Sequence, residues 1–174
     1  MNDQQLAQRI AQAALLRGDF TLRSGRKSKY YLDKYLFETQ PDILRALGEK
    51  FAGHVDSSID RLAGTELGGI PLVTAAGMAT GKPTVLIRNQ KKDYGTSKQL
   101  EGRLERGERV IIVEDIATTG GQVLEAAKVL QDAGAIVVKI VAVIDRQEGA
   151  RENIEKAGYA FASLFTKTDL GINE

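Results

Sequence analysis

Apolar residues recur at helical spacing near the start of the chain, at Leu6, Ile10, Ala13, Ala14 and Leu15, which predicts an amphipathic helix over residues 3–16 stopped by Gly18. Two short apolar runs, 20–22 and 30–32, then flank the polar turn Ser24-Gly25-Arg26-Lys27-Ser28 and predict a hairpin. Thr39 ahead of Pro41 and Asp42 marks a helix start, and Ile43, Leu44, Leu47 and Phe51 carry its stripe toward Val55. From residue 61 onward, strand and helix signals alternate. Residues 61–63, 84–88, 110–113 and 136–144 read as strands, the last three as strands buried on both faces. Between them lie a helix over 71–80 and another marked by Val123, Ala126, Ala127 and Leu130, which Gly134 ends. Strand, crossover helix and strand in repetition predict an α/β fold, a mostly parallel twisted sheet flanked by helices.

Composition narrows what such a fold does. The 174 residues suit one domain, 1–174, large enough for a core of its own. Twenty-four basic residues against 23 acidic ones point to no nucleic-acid partner and no membrane surface. Cysteine is absent, which excludes disulfides, thiolate catalysis and cysteine-bound metal. The single histidine, His54, has no companion ligand and reads as an ordinary residue near a helix end. With no secretion signal and no run of about 20 apolar residues, the expectation is a cytoplasmic enzyme.

One connection is too long for a compact domain. Residues 89–108 separate two strong strands and are basic: Lys91, Lys92, Lys98, Arg103 and Arg106, with Arg88 at the edge, outnumber Asp93, Glu101, Glu105 and Glu108. Such a segment is either a solvated hairpin or a functional loop.

The chemistry concentrates in Val110-Ile111-Ile112-Val113-Glu114-Asp115-Ile116-Ala117-Thr118-Thr119-Gly120-Gly121-Gln122. Ligands bind at the carboxyl ends of parallel strands, where two acids can accept hydrogen bonds from vicinal sugar hydroxyls. Thr118 and Thr119 supply hydroxyls and a helix cap, and the N–H groups of Gly120, Gly121 and Gln122 face outward at the positive end of the next helix. That cup suits a phosphate monoester. An acid-rich turn with a threonine cap and no ligand is the bland alternative. No phosphate-loop string Gly-x-x-x-x-Gly-Lys-Ser/Thr and no Gly-x-Gly-x-x-Gly after a strand is present.

The run 110–122 resembles the phosphoribosyl pyrophosphate (PRPP) motif of type I phosphoribosyltransferases. Phe20-Thr21-Leu22-Arg23-Ser24-Gly25-Arg26-Lys27-Ser28-Lys29-Tyr30-Tyr31 is similar to the N-terminal signature of orotate phosphoribosyltransferases. Arg88-Asn89-Gln90-Lys91-Lys92-Asp93-Tyr94-Gly95 resembles their catalytic lid, and Ile144-Asp145-Arg146-Gln147-Glu148-Gly149 their base-binding turn. The resemblance implies a small N-terminal hood over about residues 1–38 and a lid over 89–108.

It also implies a reaction in UMP synthesis: orotate displaces pyrophosphate from PRPP to give orotidine 5′-monophosphate, with Mg2+ carried on the pyrophosphate and no metal ligand in the protein. By resemblance Arg88, Asn89, Lys92 and Tyr94 fall in the pyrophosphate-contacting lid, Glu114 and Asp115 take the ribose hydroxyls, Thr118, Thr119, Gly120, Gly121 and Gln122 hold the 5′-phosphate, and Ile116 and Ala117 count among the PRPP-binding residues. Thr118, Arg146 and Arg23 fall to orotate, with Arg146 gripping a carboxylate and a ring carbonyl through paired hydrogen bonds. Lys92, Arg88 and Asp115 are the expected catalytic residues, and neither Asp115 nor Thr118 is expected in the core. Residues 64–69 would form a second pyrophosphate loop, and Tyr30 and Tyr31 would wall the base.

Three positions depart from the family pattern. Asn89 stands where many relatives carry a basic residue, Gly68 where some bacterial members carry lysine, and Arg23 where lysine is common. A transferase for uracil or a purine, or a PRPP-sensing regulator, would share the ribose motif. The resemblance further implies a homodimer whose lid residues act in trans on the neighbouring site.

Overall fold

A computed structural model describes residues 1–21, 25, 27–90 and 99–173. Helix α1 (Asp3–Ala14) opens on a reciprocal capping pair: the Gln5 N–H donates to Asn2 Oδ1 at 2.9 Å, and the Asn2 N–H donates to Gln5 Oε1 at 3.0 Å. It ends two residues earlier than the stripe predicts, because Leu15 is already extended and begins β1 (Leu15–Thr21). Gly18, the expected helix stop, lies inside that strand. Pairing with β2 (Lys27–Leu32) shifts from Arg17 opposite Tyr30 to Phe20 opposite Ser28, so Gly18 and Asp19 bulge out against one residue.

A short helix, α2 (Lys34–Glu38), follows, with the Asp33 carboxylate accepting from the Tyr35 N–H at 3.2 Å. Its length of five residues leaves no periodicity to read. Thr39 closes this helix, donating its hydroxyl to the Tyr35 carbonyl at 2.7 Å, and so does not open the next one. Helix α3 (Pro41–Ala52) starts from Gln40 with Pro41 in its first turn.

The main sheet consists of β3 (Arg61–Thr65), β4 (Thr84–Ile87), β5 (Leu100–Glu101), β6 (Arg109–Ala117), β7 (Ile136–Asp145) and β8 (Ala160–Thr166). Their spatial order is β5-β4-β3-β6-β7-β8, parallel throughout except for β5. Helices α4 (Gly69–Thr80), α5 (Gly121–Asp132) and α6 (Ala150–Lys156) and a 3-10 turn (Thr168–Leu170) complete the chain. The predicted α/β class and parallel sheet are found. The sequence pattern missed α2, α6, β5 and β8, and it cut β6 four residues short.

The strands alternate between two cores, as a period of two requires. Ile111, Val113, Val141 and Val143 face one cluster with Leu6, Ile10, Leu32, Leu47 and Phe51. Val110, Ile112, Ile140 and Ala142 face the other with Ala127 and Leu130 of α5 and Ile154 of α6. The N-terminal helix and hairpin therefore share a core with the sheet.

Two features position the site. The chain leaves β3 toward β4 and returns to β6 on the other side of β3, so the loops leaving these two adjacent strands diverge at their carboxyl ends. In addition, 89–108 is not one open connection. The Arg88 N–H donates to the Gln99 carbonyl at 2.8 Å, Ile87 pairs with Leu100, and Leu104 packs on the second core. The carboxyl half of the expected lid thus belongs to the sheet edge, and its centre, 91–98, lies outside the described residues.

Candidate active site

Strand β6 runs through the acidic pair instead of ending before it, with Glu114 opposite Ala142 and Ala117 opposite Asp145 on β7. Both acids are buried, at 6% and 4% exposure. Glu114 Oε1 accepts the Asp115 N–H at 3.0 Å, and Asp115 Oδ1 accepts the Ile116 N–H. Asp115 Oδ2 takes an ion pair from Lys34 Nζ of α2 at 2.6 Å. Burial works against the Lys34 charge, yet the attraction and hydrogen bond of Asp115 leave its pKa raised.

Glu38, one helical turn beyond Lys34, is 1% exposed, and neither carboxylate oxygen has a hydrogen-bond partner among the described residues. Burial, then the charge of Asp115, pushes its carboxyl up to about 8. Burial and Asp115 also drive Glu114 upward. Gly68 completes this cluster: a Cβ there would sit 2.0 Å from Asp115 Oδ2 and 3.0 Å from Glu38 Oε1. A lysine at 68 has no room in this arrangement.

Beyond Ala117 the chain turns sharply into α5. Gly120 is the N-cap at φ 82°, a left-handed conformation that suits glycine, and no threonine side chain caps the helix as the sequence predicts. The Leu124 N–H reaches the Gly120 carbonyl at 3.0 Å, so the N–H groups of Gly121, Gln122 and Val123 have no acceptor within the helix. They bound a cavity of about 170 Å³ lined by Glu114, Ile116, Ala117, Thr118, Thr119, Gly120, Gly121, Gln122 and Val123. Helix α6 braces the turn: Asn153 Nδ2 donates to the Thr119 carbonyl at 2.9 Å, and Ile154 lies against Gly120.

The rim gathers from three other loops. The Arg146 N–H donates to the Ala117 carbonyl at 2.9 Å, and its Nη2 reaches Tyr30 Oη at 3.1 Å and Glu148 Oε1 at 3.1 Å. On the opposite flank the Asn89 N–H donates to Glu66 Oε1 at 2.6 Å, and Gln122 Nε2 donates to Asn89 Oδ1 at 3.3 Å. Asn89 therefore ties the loop after β3 to the first turn of α5. Arg88 is half-buried beside it, its Nε 3.9 Å from Glu101 Oε1. A buried acid pair, a cup of outward N–H groups and cationic flanks meet at one edge of the sheet.

The phosphoribosyl transferase domain family matches residues 36–161. The orotate phosphoribosyltransferase of Natronomonas pharaonis is 44% identical over 171 residues, covering 98% of each chain. This chain belongs to the orotate phosphoribosyltransferase family. Among solved structures, the Mycobacterium tuberculosis orotate phosphoribosyltransferase with Fe(III) dicitrate superposes with a TM-score of 0.86 at 32% identity, covering 98% of this chain and 99% of that one. The same enzyme in complex with PRPP gives a TM-score of 0.82 at 31% identity, covering 98% and 99%.

Of the residues that the family resemblance singles out, the structure gathers Arg88, Asn89, Glu114, Asp115, 116–122 and Arg146 at one edge. Lys92, Tyr94 and Arg23 lie outside the described residues. Tyr30 is buried beneath Arg146, whose Cζ is 5.8 Å from its ring centroid, whereas Tyr31 is 44% exposed and stacks on Phe20. Sequence reasoning missed Lys34 and Glu38. The Lys34–Asp115 contact spans 81 residues, and nothing in a five-residue helix announces it.

Proposed function

We propose that the chain, read as one phosphoribosyltransferase domain, transfers the ribose 5-phosphate of PRPP to orotate, releasing pyrophosphate and orotidine 5′-monophosphate in the route to UMP. The observation that carries this is the Arg146 turn: its N–H is bonded to the carbonyl of Ala117, which sets a guanidinium for the base at the rim of the phosphate cup. Glu114 and Asp115 receive the ribose hydroxyls, residues 118–122 the 5′-phosphate, and Arg146 with Thr118 and Arg23 the orotate.

As the base displaces pyrophosphate, positive charge develops on the ribose ring and negative charge on the leaving group. The protein's work is positioning and electrostatic stabilisation. Buried carboxylates below the ring and lid cations above the pyrophosphate match that separation, with Lys92, Arg88 and Tyr94 on the pyrophosphate side. Asn89 holds the two phosphate loops together through Glu66 and Gln122.

Magnesium enters as part of the substrate. The ion would be chelated by the pyrophosphate and neutralise the leaving group. The working form is a cytoplasmic homodimer in which each lid closes over the neighbour's site. No helix among the described residues is long and apolar enough to cross a membrane.

Purified protein incubated with PRPP, Mg2+ and a panel of bases tests this. Orotidine 5′-monophosphate should form and should require both PRPP and Mg2+. Turnover of adenine or uracil but not orotate would overturn it.

A further inference from the structure

We propose that Lys34 is a positioning residue of the ribose site with two seats, and that a sugar diol binding Asp115 moves its ammonium from Asp115 to Glu38. The inference rests on the assignment of Asp115 to the ribose. It begins with Glu38, whose burial without a hydrogen-bond partner among the described residues is costly unless a partner arrives in another state of the protein. The partner at hand is Lys34. It lies four residues earlier on the same helix, on the same face, and is already within 2.6 Å of Asp115 Oδ2. Glu38 Oε1 and Asp115 Oδ2 both lie within 3.0 Å of one point beside Gly68, so the flexible lysine head has a short path between them. Gly68 keeps that space open.

The competition comes from crowding at one oxygen. Asp115 is 4% exposed, its Oδ1 accepts the Ile116 N–H, and its Oδ2 holds Lys34 and lies close against Gly68, so a diol donating to Oδ2 meets the ammonium there. An ammonium displaced into this buried region without another acceptor would be strongly unfavourable. Glu38 accepts it. The charged groups acting on Glu38 are Asp33 and Lys34 from its own segment and Asp115 from β6. With the ammonium on Asp115, Glu38 keeps a proton at neutral pH, and the arriving ammonium releases it.

The test uses ribose 5-phosphate and inorganic phosphate as probes of the whole protein by calorimetry, with Asp115→Asn as reference. Inorganic phosphate has no diol and should bind Lys34→Met and Glu38→Gln as it binds wild type. Ribose 5-phosphate should bind Glu38→Gln roughly tenfold more weakly, whereas Lys34→Met, with no ammonium to displace, should bind it at least as tightly as wild type. Titration in two buffers of different ionisation enthalpy should show proton release on ribose 5-phosphate binding in wild type and less in Glu38→Gln. Unchanged ribose 5-phosphate affinity in Glu38→Gln, or weakened affinity in Lys34→Met, while Asp115→Asn weakens it, would overturn the two-seat role alone. Parallel loss of phosphate and ribose 5-phosphate binding would overturn it in favour of a structural role. Unchanged affinity in Asp115→Asn would instead overturn the ribose assignment, and this inference with it.

Discussion

Asp115 has two tasks at once. It is 4% exposed and paired with Lys34, buried although it belongs to neither apolar core. Asp115→Asn and Thr118→Ala should each weaken PRPP use by on the order of 1 to 3 kcal/mol, read as kcat/KM. Only Asp115→Asn should also lower the unfolding midpoint, because it replaces the buried partner of the Lys34–Asp115 ion pair with a neutral amide. Equal thermal stability of the two variants would contradict this. Glu38 has the opposite sign. Its carboxyl is raised to about 8, so its contribution is favourable below the unfolded pKa near 4.5 and is lost as pH rises toward 8. Glu114 is raised in the same direction. Urea unfolding of wild type should show stability falling between about pH 5 and 8, and Glu38→Gln should flatten that fall by on the order of 1 to 3 kcal/mol.

At the scale of elements, the expected lid is held at its base by the β4–β5 ladder, where Arg88 meets Gln99. Lys92, carried between those anchors, should stabilise the departing pyrophosphate more than the bound substrate, since charge there grows only as the glycosidic bond breaks. Lys92→Ala should lower kcat about 10²-fold with a much smaller rise in the PRPP dissociation constant. Near-wild-type kcat would show that the lysine is a surface residue. What was legible in the sequence follows the same scale. Strands β6 and β7 declare themselves as unbroken apolar runs, and helix α5 because its buried stripe repeats over enough residues to set a period. The proposed ribose and phosphate groups are legible because they form one uninterrupted string, 114–122. Helices α2 and α6 are too short to show a period, and what they contribute, Lys34 with Glu38 and the Asn153 brace, reaches the site only through folding.

At the scale of the whole molecule, the proposed trans lid makes a mixing experiment decisive. Lys92→Ala and Asp115→Asn subunits, each poorly active alone, should regain activity on exchange, because a mixed pair contains one site with both residues intact. No gain despite demonstrated exchange would place the lid in cis.

The parallel sheet also has an opposite, amino-terminal edge. There Arg61 grips Glu108 through two hydrogen bonds of 2.8 Å, with Arg61 8% exposed. Strand β6 puts about 3.3 Å per residue between Arg109 and the turn beyond Ala117, which separates that clamp from the proposed ribose site by more than the ~10 Å over which substitutions couple. The two edges can therefore drift independently in evolution. Arg61→Met should cost about 3 kcal/mol of stability and leave the PRPP dissociation constant alone. Combined with Thr118→Ala, the two changes should add within about 0.5 kcal/mol in both unfolding and binding measurements. Chemistry at one end is thereby insulated from losses at the other.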